Sequence, residues 1–420
     1  FSFSNFSFNN AFYKTVFKKV NDNYQRIGEI FRKSKVHSGS LASNRNVILI
    51  GDPALMLAYP QHNIVTTHIN QKPVASQNDT LKALTKVEIS GYIASDNGVM
   101  LSGYNGVLYP SVFDKKITYT TLGNDAGSSP WNFEIQKNIL YKGKATIENG
   151  AFSFSFIVPK DIAYAFGKGK ISYYAEDGET DGHGYYDNVI IGGSSNAAVT
   201  DQQGPVILLY LNDSTFIFGG VTDENPMIFA KVSDESGINT VGNGIGHDII
   251  ATLDEETDKQ IVLNDYYEAD MDSYQSGSIR YPLQNLENGL HTLSMKVWDV
   301  FNNSSEAYTE FIVESADEPV LKHVLNYPNP FTTYTEFWFE HNQACCDLDV
   351  LIQVFTVSGK LVKSIHANVQ TTGYRAEPVS WDGKDDFGDN LARGVYIYRV
   401  TIQNNEQKRA EEIQKLVILR

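Results

Sequence analysis

The sequence predicts a mainly β protein, built from tandem β-sandwich domains that follow a short α/β segment. Beyond about residue 60, alternating apolar and polar residues recur in short runs, separated by turn formers such as Asp-Asn-Gly and Glu-Asn-Gly. The chain is also rich in tyrosine (24), phenylalanine (23) and glycine (32), which suits aromatic-filled sandwiches with many tight turns. Before that point the apolar spacing is helical.

Four domains are predicted from these patterns. They are the C-terminal end of an α/β domain over 1–60, a β-sandwich over 61–200, an immunoglobulin-like β-sandwich over 201–316 and a smaller immunoglobulin-like domain over 317–420. The charge distribution supports the first boundary, because residues 1–60 carry a formal charge of +5 and the remaining residues carry −21.

The first sixty residues contain the helical and α/β signals. Residues 11–35 place apolar side chains at spacings of three and four, which predicts one or two amphipathic helices. Residues 1–8 nearly alternate and fit either an extended strand or a low-complexity edge. The apolar run 47–50, ended by Gly-Asp-Pro, is typical of a buried parallel strand. Such a strand needs neighbours on both edges, so we expect the rest of this domain upstream of Phe1.

Alternating runs predict the strands of the two middle domains, which are joined by a polar linker at 194–204. In the first domain these runs are 87–93, 106–109, 116–121, 143–147, 151–158 and 170–175. In the second they are 204–208, 226–232, 246–253, 278–282, 289–298 and 307–313. The second set has the spacing of an immunoglobulin-like unit.

The last domain begins after a Tyr-Pro-Asn-Pro-Phe turn at 327–331. Proline lacks the N–H that a central strand needs, so this turn marks the start of a new set of strands. Predicted strands follow at 335–339, 349–357, 395–401 and 415–419. Turn-forming residues at 358–360 and 385–390 separate them, which predicts a small antiparallel sandwich.

Composition excludes several classes of function. The net charge of −16 argues against nucleic-acid binding, which depends on basic neutralisation of phosphates. No apolar run approaches the ~18 residues of a membrane span. Cys345 and Cys346 are adjacent, with Cα atoms about 3.8 Å apart across a trans peptide, below the ~4.4 Å that an easy disulfide needs.

No catalytic residues are predicted within 1–420. A nucleophilic cysteine needs a base within hydrogen-bond reach and a group that orients the base. Cys345 and Cys346 have His341 and His366 nearby in sequence, but they belong to a small sandwich without an oxyanion pocket, so we interpret them as structural. His247, within Gly-His-Asp-Ile, is interpreted as a turn-stabilising or half-buried side chain, with a ligand role as the alternative.

Two acidic loops are candidate cation sites. Asp177, Glu179 and Asp181 place carboxylates at every second position of a glycine-bearing loop, which suits the oxygen ligands of Ca²⁺. The position of the bidentate glutamate in a helix–loop–helix calcium site is Asn188, so a solvated hairpin tip is the alternative. The aspartates of a second loop have the same alternatives, because aspartates beside glycines are mainly turn formers. These are Asp382, Asp385, Asp386 and Asp389.

The last domain resembles the C-terminal signal domain of proteins exported by the type IX secretion system of Bacteroidota. The resemblance rests on the Pro-Asn-Pro turn, Trp-Asp-Gly at 381–383, Gly388 and Gly-Val-Tyr-Ile-Tyr at 394–398, in that order. The segment 381–398 also resembles the flagellar-hook-type immunoglobulin-like fold.

The beginning of the chain resembles the closing segment of gingipain-type cysteine peptidase domains. The residues that carry this resemblance are Gly-Asp-Pro-Ala-Leu-Met-Leu at 51–57, after a predicted helix and Val-Ile-Leu-Ile. The motifs at 234–239, 246–249 and 298–303 resemble the region between the peptidase and signal domains in the sortase-type members of that family.

The resemblance implies the C-terminal part of a cell-surface sortase, a cysteine endopeptidase and transpeptidase with its catalytic residues upstream of residue 1. Such enzymes remove C-terminal signal domains from exported cargo and link the cargo to anionic lipopolysaccharide. No cofactor is required, and Ca²⁺ is the candidate ion. The implied partners are cargo, other type IX surface proteins and an outer-membrane β-barrel, PorV in the known systems, docked by 317–420. Tyr396 and Tyr398 are candidate docking residues, with sandwich core as the alternative.

Two other functions are open from the sequence. The chain fits a gingipain-like peptidase that is itself cargo of the same system, and it fits a non-enzymatic surface adhesin built from tandem sandwiches. The signal domain distinguishes the first of these from a sortase, because by the resemblance mature cargo loses this domain and the sortase keeps it.

Overall fold

The structure, a computed structural model, describes residues 2–21, 23–39, 46–76, 80–195, 201–240, 246–343, 347–370 and 373–419. The chain divides into two compact units, 1–61 and 62–420. Strands dominate the second unit, which confirms the predicted mainly β class. No helix in the described ranges is long and apolar enough to cross a membrane.

The first unit is a pair of helices, α1 (Ser2–Val16) and α2 (Ile27–His37). Two helices overlap the region 11–35, where one or two were predicted. The expectation of an extended strand or a low-complexity edge at 1–8 is wrong, because α1 covers most of this segment. The helices meet through the edge-to-face rings of Phe8 and Phe31, 5.6 Å apart, and through fully buried Ile30. After α2 the chain returns, so that the carbonyls of Leu55 and Pro53 accept the free N–H groups of Ile27 and Gly28.

The predicted parallel strand at 47–50 is wrong. No strand is assigned there, and the side chains of Ile48 and Ile50 are 71% and 88% exposed. Four apolar residues form a buried strand only when neighbouring strands accept their backbone hydrogen bonds, and the described part of 1–61 supplies none.

Fourteen strands form the domain that follows. They are β1 (His62–Ile69), β2 (Lys72–Pro73), β3 (Thr80–Ala83), β4 (Lys86–Ala94), β5 (Gly106–Phe113), β6 (Ile117–Thr120), β7 (Asn132–Ile135), β8 (Ile139–Lys142), β9 (Ala145–Glu148), β10 (Ala151–Ile157), β11 (Gly167–Lys168), β12 (Lys170–Glu176), β13 (Asp181–Tyr186) and β14 (Ile190–Ser194).

This domain contains a closed barrel, which corrects the sandwich predicted over 61–200. Seven strands pair in the order β12-β13-β1-β4-β10-β9-β5, and β5 pairs back onto β12. Closure removes the free edges that two separate sheets would leave. Phe152, Phe154 and Phe156 alternate with small residues on β10 and point into the core, where Phe156 is stacked on Tyr141 with ring centroids 4.7 Å apart.

The second β domain is the predicted sandwich. Its strands are β15 (Val206–Leu211), β16 (Gly220–Thr222), β17 (Met227–Ser233), β18 (Ile250–Leu253), β19 (Ile261–Val262), β20 (Tyr267–Ala269), β21 (Ser276–Pro282), β22 (Gly289–Trp298) and β23 (Ser304–Val313). They form two sheets, β15-β17-β21-β20 and β16-β23-β22-β18-β19, which enclose one apolar core.

His291 on β22 makes the stability of this sandwich depend on pH. Its Nδ1 lies 2.7 Å from Oδ2 of Asp254, and its Nε2 lies 2.7 Å from the carbonyl oxygen of Glu287, so both acceptors are satisfied only when the ring carries both protons. Burial opposes the charge, yet the Glu287 carbonyl and the Asp254 carboxylate raise the pKa of His291 above its ordinary value.

We therefore expect the stabilisation by His291 to be complete below its unfolded pKa of 6.5 and to be lost as pH rises through the raised folded pKa. The unfolding temperature of the wild type should exceed that of His291→Gln by a few degrees near pH 6, and the gap should close near pH 9. Calorimetry of the full chain checks this. A gap that widens with pH would contradict it.

The last domain has seven strands in two sheets, β24-β25-β28 and β27-β26-β29-β30. The strands are β24 (Leu321–Tyr327), β25 (Thr335–His341), β26 (Asp347–Thr356), β27 (Leu361–Gln370), β28 (Val379–Trp381), β29 (Gly394–Gln403) and β30 (Arg409–Ile418). The Trp-Asp-Gly motif is both a core and a turn element, because the Trp381 ring packs on Phe331 and Phe337 while its Nε1 donates to the carbonyl of Lys384 at 2.9 Å.

Tyr396 and Tyr398 lie in the core of the last domain, with exposures of 8% and 0%. The hydroxyl of Tyr396 donates to the carbonyl of Ala392 at 2.9 Å, and the ring of Tyr398 packs on Phe337. This corrects the expectation that these side chains contact a docking partner. Alternation placed them correctly on one face of β29, and that face is the inner one.

Candidate functional site

Three carboxylates converge at one end of the second sandwich. Asp234 follows β17, Asp299 follows β22 and Asp201 precedes β15, and one oxygen of each lies within 4.8 Å of the others. The topology explains why Asp201 and Asp234 converge, because β15 and β17 are antiparallel neighbours and the start of β15 lies beside the end of β17.

Each carboxylate also accepts hydrogen bonds from residues of the neighbouring loops. Oδ1 of Asp234 accepts the N–H groups of Ser236 and Gly237 at 2.7 and 3.1 Å. Asp299 accepts the backbone N–H and side-chain amide of Asn303, both at 2.7 Å. Asp201 accepts the Ser236 hydroxyl. The motifs at 234–239 and 298–303 are therefore, first of all, turns closed by their leading aspartate.

Burial, hydrogen bonding and the closeness of the other carboxylates shift the pKa values of the three groups. The pKa of Asp234 is raised to about 6 by burial and by the neighbouring carboxylates of Asp299 and Asp201. The pKa of Asp299 is also raised, chiefly by burial. Hydrogen bonding from Ser236 lowers the pKa of Asp201. Three carboxylate oxygens would supply part of the six to eight that Ca²⁺ takes.

We expect Asp234→Asn to stabilise the chain at high pH. Because the folded pKa of Asp234 is raised, ionisation of this carboxyl lowers the stability of the chain as pH rises from the ordinary pKa of an aspartate through about 6. Asparagine keeps the oxygen that caps the turn. With solvent screening, the gain above that pH is about 1 kcal/mol. It should vanish near pH 4. Urea unfolding in chelator at both pH values measures it, and a loss of stability at high pH would contradict it.

A second polar network joins the barrel to the second sandwich around Asp161. Its Oδ2 lies 2.7 Å from Nδ1 of His247, and its Oδ1 accepts the Asn302 amide at 2.7 Å. The His247 ring lies 4.5 Å from that of Trp298. His247 is thus an interdomain contact, which agrees with the structural interpretation of this residue. Asp161 could not be recognised from the sequence, because its partner His247 is 86 residues away.

Among the described residues, the carboxylates of the predicted calcium loop do not form a cluster that could share an ion. Oδ1 of Asp177 accepts the backbone N–H groups of Glu179 and Thr180 at 3.0 and 2.6 Å, while the Glu179 side chain is exposed. Within the described residues, Asp201, Asp234 and Asp299 form the group of three acidic side chains close enough to share an ion. Sequence reasoning missed this group because its members lie far apart in the chain.

The aspartates after Trp381 likewise form turns. Oδ1 of Asp385 accepts the N–H groups of Phe387 and Asp389, both at 2.9 Å, and Oδ1 of Asp382 accepts that of Lys384 at 3.1 Å. Asp386 accepts the backbone N–H of Ser364 at 3.2 Å. These bonds fix a loop that holds Phe387 93% exposed.

The histidines near the cysteine pair do not have the features of a catalytic base. His341 is fully buried, and burial lowers its pKa to about 4. His366 is exposed on β27. Cys345 and Cys346 lie outside the described residues.

Comparisons with known proteins give one family match at the start of the chain and structural similarities over most of its length. Residues 1–58 match the model of peptidase family C25. The crystal structure of dimeric latent PorU from Porphyromonas gingivalis is 28% identical over 96% of this chain, with a TM-score of 0.41. This chain spans 38% of that PorU chain. No curated protein matches the chain.

Two other similar structures have lower identities and lower TM-scores. A tetra-tandem repeat of a large adhesion protein is 11% identical over 81% of this chain and 73% of its own, with a TM-score of 0.19. The FN1–FN3 domains of chicken CNTN1 are 8% identical over 82% of this chain and 97% of their own, with a TM-score of 0.20.

Proposed function

We propose that this chain, which is related to PorU and begins with a segment of peptidase family C25, is the C-terminal part of a cell-surface type IX sortase. The observation that carries the proposal is the order of two parts in one chain. A gingipain-family segment stands at 1–58, and a sequence resembling a type IX signal domain stands at 317–420.

The proposed chemistry belongs to residues upstream of Phe1. A cysteine there attacks the peptide bond before the cargo signal domain and forms a thioester, and a histidine takes and returns the proton. The acyl group then passes to an amine of anionic lipopolysaccharide or to water. A covalent acyl-enzyme permits either acceptor, because the leaving signal domain departs before the acceptor attacks.

The role proposed for residues 62–420 is that of a stalk and docking module. Direct bonds between successive domains support a stiff stalk. Thr146 N donates to Oδ1 of Asp272 at 2.7 Å between the barrel and the second sandwich, and Val221 N lies 3.4 Å from Oε2 of Glu340 between the second sandwich and the last domain. Glu340 is only 4% exposed, so this contact is buried.

The proposed location is the cell surface, where the last domain docks on an outer-membrane β-barrel such as PorV. Support comes from the signal-domain resemblance of 317–420 and from the relation to PorU. Cargo with signal domains, other type IX surface proteins and anionic lipopolysaccharide are the further partners proposed.

Calcium binding by Asp177, Glu179 and Asp181 is kept as a proposal with a direct test. Isothermal titration of the chelated chain with Ca²⁺ should give a heat that Asp181→Asn removes. If Asp234→Asn removes the heat instead, the ion belongs to the cluster at Asp201, Asp234 and Asp299.

Complementation tests the proposed function. The full-length gene, placed in a type IX strain that lacks its own sortase, should restore removal of cargo signal domains, and alanine at the upstream catalytic cysteine should abolish it. Loss of 317–420 from the mature protein would favour the cargo alternative. Absence of any peptidase domain from the gene product would favour the adhesin.

We expect residues 1–420 alone to hydrolyse no peptide, because His341 is buried, the lowering of its pKa to about 4 makes it a weak base, and no catalytic pair is predicted. Fluorogenic peptides spanning cargo signal-domain junctions measure this, with the full-length protein as the positive control. Hydrolysis that disappears in Cys345→Ala or Cys346→Ala would contradict it.

A further inference from the structure

The connection between the second sandwich and the last domain, residues 314–320, has no regular secondary structure but is held along its backbone. At its start, Glu314 N donates to the carbonyl of Thr222 at 3.0 Å. Ala316 N donates to Oε2 of Glu224 at 3.1 Å. Linkers are usually the segments where chains are cut, because few contacts hold them.

Four successive carbonyl oxygens of this connection accept hydrogen bonds from side chains of the last domain. The pairs are Ser315 O with Asn342 Nδ2 at 2.6 Å, Ala316 O with Gln343 Nε2 at 2.9 Å, Asp317 O with Lys408 Nζ, and Glu318 O with Asn342 Nδ2 at 2.8 Å. The connection is therefore bound much as a peptide ligand is bound.

The central donor is buried and fully engaged. Asn342 is 0% exposed, and its Oδ1 accepts Val320 N at 2.8 Å, so its amide donates twice and accepts once from the same short segment. Gln343 is 6% exposed, and Asn404 Nδ2 donates to its Oε1 at 3.0 Å. Opening the connection would take both carbonyl acceptors from the buried Asn342 Nδ2, which is unfavourable.

We infer that Asn342, Gln343 and Lys408 form a lock that keeps the peptide bonds of 314–320 from peptidases and makes the last domain a permanent part of the folded chain. A peptidase binds its substrate extended, through the backbone groups that these side chains already occupy. Cleavage then requires local opening. The lock acts whether or not the last domain is a secretion address.

Digestion with a glutamate-specific endopeptidase tests the lock at the Glu314–Ser315 bond. In the full chain this bond should be cut at least about 100-fold more slowly than in a synthetic peptide of residues 308–324, because cutting needs prior opening. Asn342→Asp keeps the acceptor for Val320 and loses both donors, so cutting should accelerate about tenfold or more. Lys408→Met, which releases one carbonyl, should give a smaller acceleration.

Asn368→Ala is the matched control and should leave the rate unchanged, because the side chain of this exposed asparagine donates within the last domain, to Oδ1 of Asp349 at 3.1 Å. Near-ultraviolet circular dichroism reports whether each variant is folded. Lys408 is partly exposed, so Lys408→Met should stay folded and decides the test if Asn342→Asp does not. Wild-type cutting at the rate of the peptide, or a folded Lys408→Met cut at the wild-type rate, would overturn the lock.

Discussion

Phe156→Ala is expected to destabilise the barrel by about 4 kcal/mol, the usual cost of removing a buried aromatic ring. Phe156 is 1% exposed and is stacked on Tyr141 at 4.7 Å, with the planes 9° apart. It also lines a small cavity together with Ile238 and Val300 of the second sandwich. The vacated space is enclosed by two domains, so neither can collapse into it alone.

Urea unfolding of the full chain, followed by circular dichroism and by amide exchange of β10 and β22, measures this loss. Because the ring is shared, both domains should lose protection together. Phe133→Ala on the exposed hairpin β6–β7 removes the same atoms from a ring that is 40% exposed, and it should cost no more than about 1 kcal/mol. Equal losses of stability in the two variants would contradict the expectation that the Phe156 ring packs between two domains.

The fold was predictable where a local pattern decides it. Residues 151–157 read Ala-Phe-Ser-Phe-Ser-Phe-Ile, and this alternation predicted the strand, whose phenylalanines the structure places on the buried face. Closure of the barrel was not predictable, because it depends on the pairing of β5 with β12, about sixty residues later in the chain. Alternation determines the faces of a strand, and long-range pairing determines the sheet.

The candidate site was less predictable for the same reason. The sequence identified the Asp-Glu-Ser-Gly and Trp-Asp motifs, but it did not bring Asp234 and Asp299 together with Asp201. At 47–50 apolarity suggested burial, yet Ile50 is 88% exposed, because a run of four residues contains no information about its neighbours. Tyr396 and Tyr398 show the remaining ambiguity, since one face of a strand fits a core as well as a docking surface.

Removal of 317–420 is expected to abolish association with the outer-membrane barrel and surface retention of the full-length protein. This expectation rests on the proposed docking role. The buried tyrosines cannot make that contact, so an exposed group of the last domain must do so. Phe387 is the strongest candidate, because its 93% exposed ring is held on a loop fixed by Asp385, and ordered aromatic side chains are frequent binding hot spots.

Co-purification with the tagged barrel and protease shaving of whole cells measure docking in three variants. Phe387→Ala should weaken association about tenfold or more, as expected for a hot-spot aromatic. Tyr398→Phe should leave association unchanged, because the hydroxyl that it removes is buried without a hydrogen-bond partner among the described residues. Phe218→Ala is the matched control, since its ring is 60% exposed on the second sandwich.

Truncation also removes Glu340 and Asn342, whose side chains bond to Val221 of the second sandwich and to Ser315 of the connection. Circular dichroism must therefore first establish that the remaining domains are folded. The point variants avoid this problem because they leave the lock intact. Retention of the barrel by a folded truncated protein would assign docking to the upstream domains. Loss of association in Phe218→Ala alone would place the contact on the second sandwich and end the case for the last domain.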